Sequence, residues 1–347
     1  MRGQPRHTMS HCRTSVPELR HGTRRRRGRE QPGTGALMLN VLVWHVHGAW
    51  TTSFVHGRHR YLLPMGPWGG GRMGRDWPED AVEIPFDRVR QEPVDVVVLQ
   101  QPDQIELADQ VLGGRQVPMI YVEHNTPKGN VPCTRHPIAE RDDIRLVHVT
   151  HFNELMWDSG RAPTTVIEHG IVDPGERYTG ELARAGVVIN EPVRRGRVTG
   201  TDLLPAFAAA VPVDIFGMGL DGLDGCGGRI QSHGDLPTHR LHDELARRRV
   251  YLHTTRWTSL GLSLIEAMHL GMPIVALATT EALRAVPPDA GLISTDVDEL
   301  ADGLAWLVRE PESARRIGKQ ARQHALARYG LTKFLRDWDE LLMEVSS

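Results

Sequence analysis

The apolar positions of the chain fall into short runs separated by polar loops and amphipathic stretches. The clearest unit is Arg249 to Ala278, where an apolar run is followed by a polar loop, an apolar segment of helix length and a second apolar run. This pattern predicts strand, loop, helix and strand, with the helix beginning near Ser263 and ending at Gly271. Such βαβ units build parallel sheets, in which ligands bind where strands end and helices begin.

Similar patterns recur on both sides of this unit. Apolar runs of strand length occupy residues 39–46, 94–99, 117–122, 186–190 and 213–216. Residues 332–345 repeat apolar side chains at helical spacing, which predicts an amphipathic last helix. Gly66 to Pro78 contains three consecutive glycines and is predicted to be a long loop, either part of an acceptor pocket or a surface excursion. The chain is therefore predicted to be an α/β protein.

The length of the chain and its few cysteines limit the possible number of domains and the possible compartment. A chain of 347 residues is long for one core and suits two domains. No apolar run approaches the ~18 residues that span a bilayer, so no transmembrane segment is predicted. The three cysteines, Cys12, Cys133 and Cys226, are few and widely spaced. They indicate reduced thiols in a cytoplasmic protein rather than a disulfide framework.

Charge separates the first 37 residues from the rest. Residues 1–37 hold nine Arg and two Glu, a net charge of +7, so residues 38–347 carry −9 of the total of −2. The Arg-rich segment is predicted to be a disordered extension, and it lacks the apolar region of a signal peptide. Arg24 to Arg27 suggests a nucleic-acid tail, but our preferred hypothesis is that translation starts at Met38. The acidic body predicts no nucleic-acid partner.

The central unit resembles a known motif. Thr258 to Ala276 is similar to the donor-binding motif of retaining GT-B glycosyltransferases of group 1, in which two Glu are separated by seven residues. Glu266 matches the second Glu, and Gly261 matches the second Gly of the family's Gly-Phe-Gly. Thr258 stands where the family has its first Glu, and Ser259-Leu260 replaces Gly-Phe.

A second stretch, Glu191 to Leu204, resembles the family's Gly-Arg…Lys-Gly-x-Asp-Leu-Leu segment, whose Arg and Lys neutralise the donor diphosphate. The Lys position is Thr199. Arg194, Arg195 and Arg197 lie just upstream, and since Arg binds phosphate oxygens bidentately, we expect them to replace the missing charge.

The resemblance implies the GT-B fold, two Rossmann-like domains facing across a cleft. The implied parts are an N-terminal acceptor domain at 38–178 and a C-terminal donor domain at 179–331. A last helix at 332–347 can cross back onto the N-terminal domain, as it does in GT-B folds. Residues 166–171 resemble the segment before the family's domain linker, and Asp173 to Tyr178 is then that linker.

The implied function is that of an enzyme, a hexosyltransferase-like glycosyltransferase (EC 2.4) that uses a UDP- or GDP-linked sugar and an unknown acceptor, with retention and without metal or cofactor. The Leu262 and Ser263 amides, at a helix N-terminus, are expected to bind the diphosphate with the arginines. Glu266 is expected to lie in the first helical turn and hold the ribose, and His124 to face the sugar as a catalytic group. The remaining expected substrate-binding residues are Gly48, Thr258, Ser259, Leu260 and Gly261.

Other readings remain open. Ser263 and Glu266 also fit a capping box, which explains the Glu without a ligand. His124 also fits a turn built on Asn-Thr-Pro, and a loop with a solvated basic surface also explains the arginines. His45 and His47 alternate in the manner of strand ligands, but no carboxylate or cysteine completes a metal site. A non-catalytic nucleotide-sugar-binding relative and a nucleotide-sugar epimerase of the same architecture are the alternative functions.

Overall fold

Two largely parallel sheets organise the computed structural model, which describes residues 37–66 and 69–347. The predicted disordered extension and the basic run at Arg24 to Arg27 lie outside the described residues, apart from Leu37. Both sheets belong to one unit, Met38–Ser347.

The first sheet contains eight strands in the described part of the chain. They are β1 (Asn40–Val43), β2 (Arg60–Gly66), β3 (Gly69–Gly70), β4 (Ala81–Pro85), β5 (Val96–Leu99), β6 (Met119–Glu123), β7 (Ile144–His148) and β8 (Thr164–Val166). Their order is β3-β2-β1-β5-β6-β7-β8, with β4 paired to β2, and all pairs are parallel except β2 with β3. All four residues of β5 are fully buried, as expected for a parallel strand covered on both faces.

The second sheet is parallel throughout. Its strands are β9 (Leu182–Val188), β10 (Val213–Phe216), β11 (Ile230–Ser232), β12 (Arg248–His253), β13 (Ile274–Leu277) and β14 (Gly291–Ser294). Their order is β11-β10-β9-β12-β13-β14, so the chain reverses direction across the sheet beside β9. Ligand sites of open parallel sheets form at such a reversal, outside the carboxyl ends of the strands.

Helices cover the faces of both sheets. They are α1 (Gly48–Phe54), α2 (Gln104–Leu112), α3 (His151–Met156), α4 (Pro192–Thr199), α5 (Leu204–Ala210), α6 (Thr238–Arg247), α7 (Leu262–Leu270), α8 (Ala282–Ala285), α9 (Val297–Arg309), α10 (Pro311–Tyr329) and α11 (Leu331–Val345). Short 3-10 helices occupy Phe86–Gln91, Thr201–Leu203 and Cys226–Gly228. The basic stretch weighed as a solvated loop forms α4, with a non-helical backbone at Gly196 and with Arg194 and Arg197 exposed to solvent.

The predicted helix of the central unit is α7. Six of its nine residues are buried, because the helix packs between the second sheet and α10 rather than lying on the surface. It ends at Gly271, whose φ of +89° is in the left-handed region that glycine adopts without steric cost. The pattern of apolar residues therefore gave both ends of α7 to within one residue.

The last helix packs against the first sheet's half. Phe334 and Trp338 of α11 join the core that contains β1, and the Trp338 ring meets the rings of Trp50 and Phe54 of α1 edge-on, with centroids 5.6 and 5.0 Å apart. Edge-to-face pairs of this kind add to the stabilisation from burial. The helix thus follows the second sheet in sequence while completing the core of the first.

Residues 71–78 are anchored rather than forming a loose surface excursion. The Arg72 guanidinium donates to the carbonyl oxygens of Ala81, Trp77 and Pro78 at 2.9, 2.7 and 2.7 Å. Trp77 donates from Nε1 to Thr52 Oγ1 of α1 at 3.0 Å. These contacts hold the segment against α1, beside the carboxyl end of β1.

Candidate active site

The carboxyl ends of the two sheets face a common cavity of about 610 Å³. The chain leaves β1 and β6 on one side of the cavity and β9, β10 and β12 on the other. Residues at five strand ends therefore line the same cavity. The lining residues used below are His47, Ala49, Arg75, His124, His169, Arg195, Thr199, Asp235, Thr238, His253, Thr258, Ser259, Leu260, Gly261, Leu262, Ser263 and Glu266.

The N-terminus of α7 opens into this cavity. Gly261 is the N-cap and makes no side-chain cap, and Leu262 and Ser263 are the first two helical residues; all three line the cavity. The first amides of a helix have no partner within the helix, and the aligned peptide dipoles place a partial positive charge there. This end of α7 therefore suits an anion such as a phosphate.

Glu266 lies one turn inside α7. It is the fifth helical residue rather than part of the first turn, so that expectation was wrong by one residue. The capping box is also absent, because α7 begins before Ser263, and the Ser263 hydroxyl accepts a hydrogen bond from the Tyr251 hydroxyl at 2.9 Å. The Glu266 carboxylate is 3.6 Å from His242 Nε2 and lines the cavity, where it can accept hydrogen bonds.

Only one arginine of the predicted three reaches the cavity. Arg195 lines it and is half-buried, and burial together with neighbouring Arg194 lowers the pKa of its guanidinium. Arg194 is exposed beside Glu191, at 3.4 Å, and Arg197 is exposed beside Asp202, at 3.5 Å. Of the three arginines expected to supply charge to the diphosphate, Arg195 is therefore the one that lines the cavity, and Arg194 and Arg197 do not.

Thr199 does not contribute a free hydroxyl. It is buried, and its Oγ1 donates to the Gly196 carbonyl at 3.0 Å and lies 2.8 Å from the Thr201 hydroxyl. Because these contacts lie within the turn that ends α4, the residue shapes the cavity wall rather than offering a charge to a ligand.

Histidines form the opposite wall. The His47 and His124 rings are 4.0 Å apart, and the His124 and His169 rings stack at 6.5 Å. Burial lowers the pKa of His169 to about 4 and holds that of His124 well below its ordinary value, and each pKa is lowered further by His47. Burial likewise lowers the pKa of His47.

His253 is the last residue of β12 on the second sheet, and burial lowers its pKa to about 4. The four imidazoles of the cavity are therefore neutral near pH 7, and they present hydrogen-bonding groups without charge.

Two of these histidines carry unsatisfied atoms. Among the described residues, His124 Nε2 and His169 Nδ1 are buried without a hydrogen-bond partner. The prediction singled out His124 but not His169, although His169 follows β8 in the quoted segment before the linker. His124 comes directly after β6, and His169 comes three residues after the end of β8, so a histidine close behind a strand is the signal that could have identified both.

Arg75 was missed by the sequence analysis. It comes from the anchored segment 71–78 and lines the cavity beside Gly48. A Cβ added to Gly48 would collide with Arg75 Nη2 and lie 3.0 Å from Arg75 Cζ. The predicted substrate-binding residue Gly48 therefore leaves room for a guanidinium. No ion pair or side-chain hydrogen bond of Arg75 occurs within residues 37–66 and 69–347.

The loop before α7 is held from across the cleft. Thr258, Ser259 and Leu260 all line the cavity, and Ser259 and Leu260 are buried. Trp257, just before them, donates from Nε1 to the Pro127 carbonyl at 3.0 Å, and its ring meets that of Phe152 edge-on at 5.5 Å. Because Pro127 follows β6, these contacts fix the distance between the two sheets beside the cavity.

A second cavity, of about 750 Å³, continues from the first. The two share Ala49, Arg75, Thr238 and Glu266, and the second extends between α1 and the segment that links the sheets. The pair of cavities provides room for two ligand groups that meet near Arg75 and Glu266.

The described residues contain neither a cluster of metal ligands nor a membrane-spanning helix. No group of three or more His, Cys, Asp and Glu side chains there is arranged to hold a metal ion. None of the helices in the same residues has the length and apolar character to cross a bilayer.

The comparisons with known proteins agree with this geometry. Residues 225–324 match the family model described as glycosyl transferases group 1. That region begins before β11 and includes α7, so the Thr258 to Ala276 resemblance lies within the match. No match was found among curated protein sequences.

Solved structures of the same fold cover most of the chain. HepE from Anabaena, in complex with UDP-glucose, is 15% identical with a TM-score of 0.68, covering 88% of this chain and 100% of HepE. A glycosyltransferase from Rickettsia africae is 12% identical, with a TM-score of 0.67 and coverage of 89% and 98%. Sucrose-phosphate synthase from Thermosynechococcus elongatus is 14% identical, with a TM-score of 0.66 and coverage of 89% and 99%.

These similarities confirm the predicted α/β fold of GT-B type. Together with the family match they also confirm the prediction that the chain is an enzyme, a glycosyltransferase, and they support its assignment to group 1. The roles of individual site residues stay predictions.

Proposed function

We propose that the chain transfers a sugar from a UDP- or GDP-linked donor to an acceptor hydroxyl, with retention of anomeric configuration and without a metal ion. The observation that carries this proposal is the convergence of the α7 N-terminus, Arg195 and Glu266 on one cavity, opposite three neutral histidines. HepE, which shares the fold, is described in complex with UDP-glucose.

The diphosphate binds at the end of α7. The Leu262 and Ser263 amides donate to its oxygens, and Arg195 adds a full positive charge. When the bond to the sugar breaks, negative charge grows on the departing diphosphate, and donors already in place stabilise it without reorganisation. Removing one such donor typically costs about 3 kcal/mol in the transition state.

The rest of the donor is held on both sides of this point. Glu266 accepts hydrogen bonds from the ribose hydroxyls, while Thr258, Ser259, Leu260 and Gly261 form the wall beside the sugar. His124 faces the transferred sugar across the cavity, where a neutral imidazole with an unsatisfied nitrogen pairs with a hydroxyl.

The acceptor enters through the second cavity, which meets the first at Arg75 and Glu266. On this assignment residues 38–178 form the acceptor domain and residues 179–331 the donor domain. Charge stabilisation by Arg195 and α7 takes the place of a metal ion, and we propose the cytoplasm as the compartment in which nucleotide sugars reach the site.

A thermal-shift screen of UDP-, GDP- and ADP-sugars tests donor binding, because a ligand that prefers the native state raises its melting temperature. Glu266→Ala should abolish the shift, and undiminished donor binding by that variant would contradict the site. Turnover of the donor in EDTA tests metal independence, and the anomeric proton signals of the product test retention.

The same screen separates the alternatives. Binding without turnover under any acceptor favours a non-catalytic relative, as Thr258 in place of a carboxylate would suggest. Conversion of the donor sugar without an acceptor favours an epimerase. Transfer to an acceptor with release of the nucleoside diphosphate supports the proposal.

A further inference from the structure

We infer that Arg75, from the first sheet's half of the molecule, supplies the second positive charge that binds the donor diphosphate. The inference rests on the proposed function and adds a residue from the opposite side of the cleft. The diphosphate is then held by one arginine from each half, Arg195 and Arg75.

The charge balance of the cavity calls for such a residue. Phosphate groups approach two negative charges above a second pKa of about 6, so a released nucleoside diphosphate carries about three. Glu266 and Asp235 add two carboxylates to the lining. Among the described lining residues the permanent cations are Arg75 and Arg195, since the histidines of the cavity are neutral.

Nearby arginines are already paired. Arg194 lies beside Glu191, and Arg197 beside Asp202. Arg256 also binds Asp202, through two hydrogen bonds of 2.5 and 3.0 Å. A diphosphate would have to break these pairs to recruit any of the three, whereas Arg75 has no carboxylate partner in the part of the chain that the structure describes.

The backbone of the turn that carries Arg75 is also held in position. Arg72 bonds three carbonyl oxygens of the surrounding turn, and Glu83 Oε1 accepts from the Arg72 amide at 2.7 Å. His45 Nδ1 lies 2.9 Å from the Gly71 carbonyl oxygen, which ties the start of the turn to the end of β1. The guanidinium of Arg75 then packs on the bare Cα of Gly48. The backbone that carries Arg75 is therefore ordered before a ligand binds, so less backbone freedom is lost on binding, while the exposed Arg75 side chain reaches the cavity.

Its neighbours indicate which phosphate it contacts. Gly48 directly follows His47, and the His47 ring lies 4.0 Å from that of His124, the residue proposed to face the sugar. Arg75 therefore lies toward the sugar end of the donor and binds the β-phosphate. Arg195 lies on α4, in the half of the molecule that contains Glu266, the residue proposed to hold the ribose, and binds the α-phosphate.

The test compares diphosphates with monophosphates. For Arg75→Gln we expect affinity for UDP or GDP to fall about 10- to 100-fold, the range for one charge-assisted hydrogen bond, while affinity for UMP or GMP falls less than about threefold. Arg195→Gln should weaken both classes. Isothermal titration calorimetry measures these constants, and Arg88→Gln, an exposed arginine of the same half that lines neither cavity, is the control.

Gly48→Ala tests the close packing. The added methyl group displaces the guanidinium, so this variant should show the same selective loss for diphosphates, and the loss should vanish in an Arg75→Gln background. A penalty that persists in full in the double variant would show that Gly48 acts by direct contact and would overturn the positioning argument.

The outcomes separate this inference from the proposed function. A wild-type chain that binds none of the diphosphates overturns both. Wild-type binding with equal binding by Arg75→Gln overturns the inference alone, as does equal loss for monophosphates and diphosphates. Unchanged donor affinity with a raised KM for the acceptor would assign Arg75 to the acceptor instead, and would also overturn it.

Discussion

The two walls of the cavity solve different problems. The wall from the first sheet (His47, His124 and His169) is neutral; His124 and His169 are buried with stacked rings, and the half-buried His47 ring lies 4.0 Å from that of His124. The wall from the second sheet (Arg195, Leu262, Ser263 and Glu266) is charged and ends in free helix amides. A charged wall suits a diphosphate and a ribose, and a neutral wall suits uncharged hydroxyls. The difference teaches that one fold can present two chemistries to one cavity, because these two groups of side chains come from different sheets.

The largest effect should come from the charged wall. Arg195→Gln removes a full charge from the departing diphosphate, and we expect kcat/KM to fall by about 100- to 1,000-fold, or about 3–4 kcal/mol. Steady-state kinetics with the identified donor measure the change. Arg316→Gln, on the exposed face of α10, is the matched control. A loss below about threefold for Arg195→Gln would remove the contrast between the walls.

The neutral wall should respond to acid. His169 has a pKa of about 4 when folded and about 6.5 when unfolded, so below pH 6.5 the unfolded chain takes up the proton first. The free energy of unfolding should therefore fall as pH drops from 6.5 toward 4, by about 2 kcal/mol for this group at pH 5. Urea unfolding at pH 7.5 and 5 measures it.

His169→Asn should reduce that pH dependence by the share of one histidine, because asparagine has no proton to take up while His124 and His253, whose pKa values are also lowered, remain. An unchanged slope in this variant would show that His169 is not the neutral group described here, and would place the acid sensitivity elsewhere.

Glu266→Gln should have a smaller effect. The substitution keeps the shape but replaces a charged acceptor with a neutral amide, so donor affinity should fall about tenfold, or about 1.5 kcal/mol. Titration of the nucleoside diphosphate and of its 2′-deoxy analogue distinguishes the cause. If Glu266 holds the ribose, the variant should discriminate less between the two; unchanged discrimination would count against that role.

The smallest effect should come from the contact that joins the walls. Trp257→Phe keeps an aromatic ring against Phe152 but loses the hydrogen bond to the Pro127 carbonyl. We expect a loss of about 1 kcal/mol, seen as a roughly fivefold higher KM for the donor with kcat nearly constant. A fall in kcat alone would show that the contact acts after donor binding.

The sequence predicted the site residues of the second sheet better than the contact between Arg75 and Gly48 in the first half of the molecule. Glycine, helix, Glu266 and strand occur within one short segment, so their spacing alone placed them at a sheet edge. Arg75 and Gly48 meet only through the fold, 27 positions apart, and no local pattern marks that contact.

The three arginines at positions 194, 195 and 197 show a second limit of prediction from sequence. Three closely spaced arginines resembled a single phosphate site. The backbone at Gly196 is non-helical, with φ of 35° and ψ of −101°, so Arg197 does not continue the helical arrangement of Arg194 and Arg195. The three side chains therefore do not all face one cavity. In the structure, Arg194 lies beside the Glu191 carboxylate and Arg197 beside that of Asp202, both on the surface. Arg195 is the one of the three that lines the cavity.

Helix α11 has a consequence for synthesis on the ribosome. Phe334 and Trp338 complete the core around β1, yet they lie about 290 residues downstream of it. The nascent first half therefore emerges with an aromatic gap beside Trp50 that stays open until α11 has been synthesised. Chaperones that shield exposed apolar surface would be needed longest at this half of the chain.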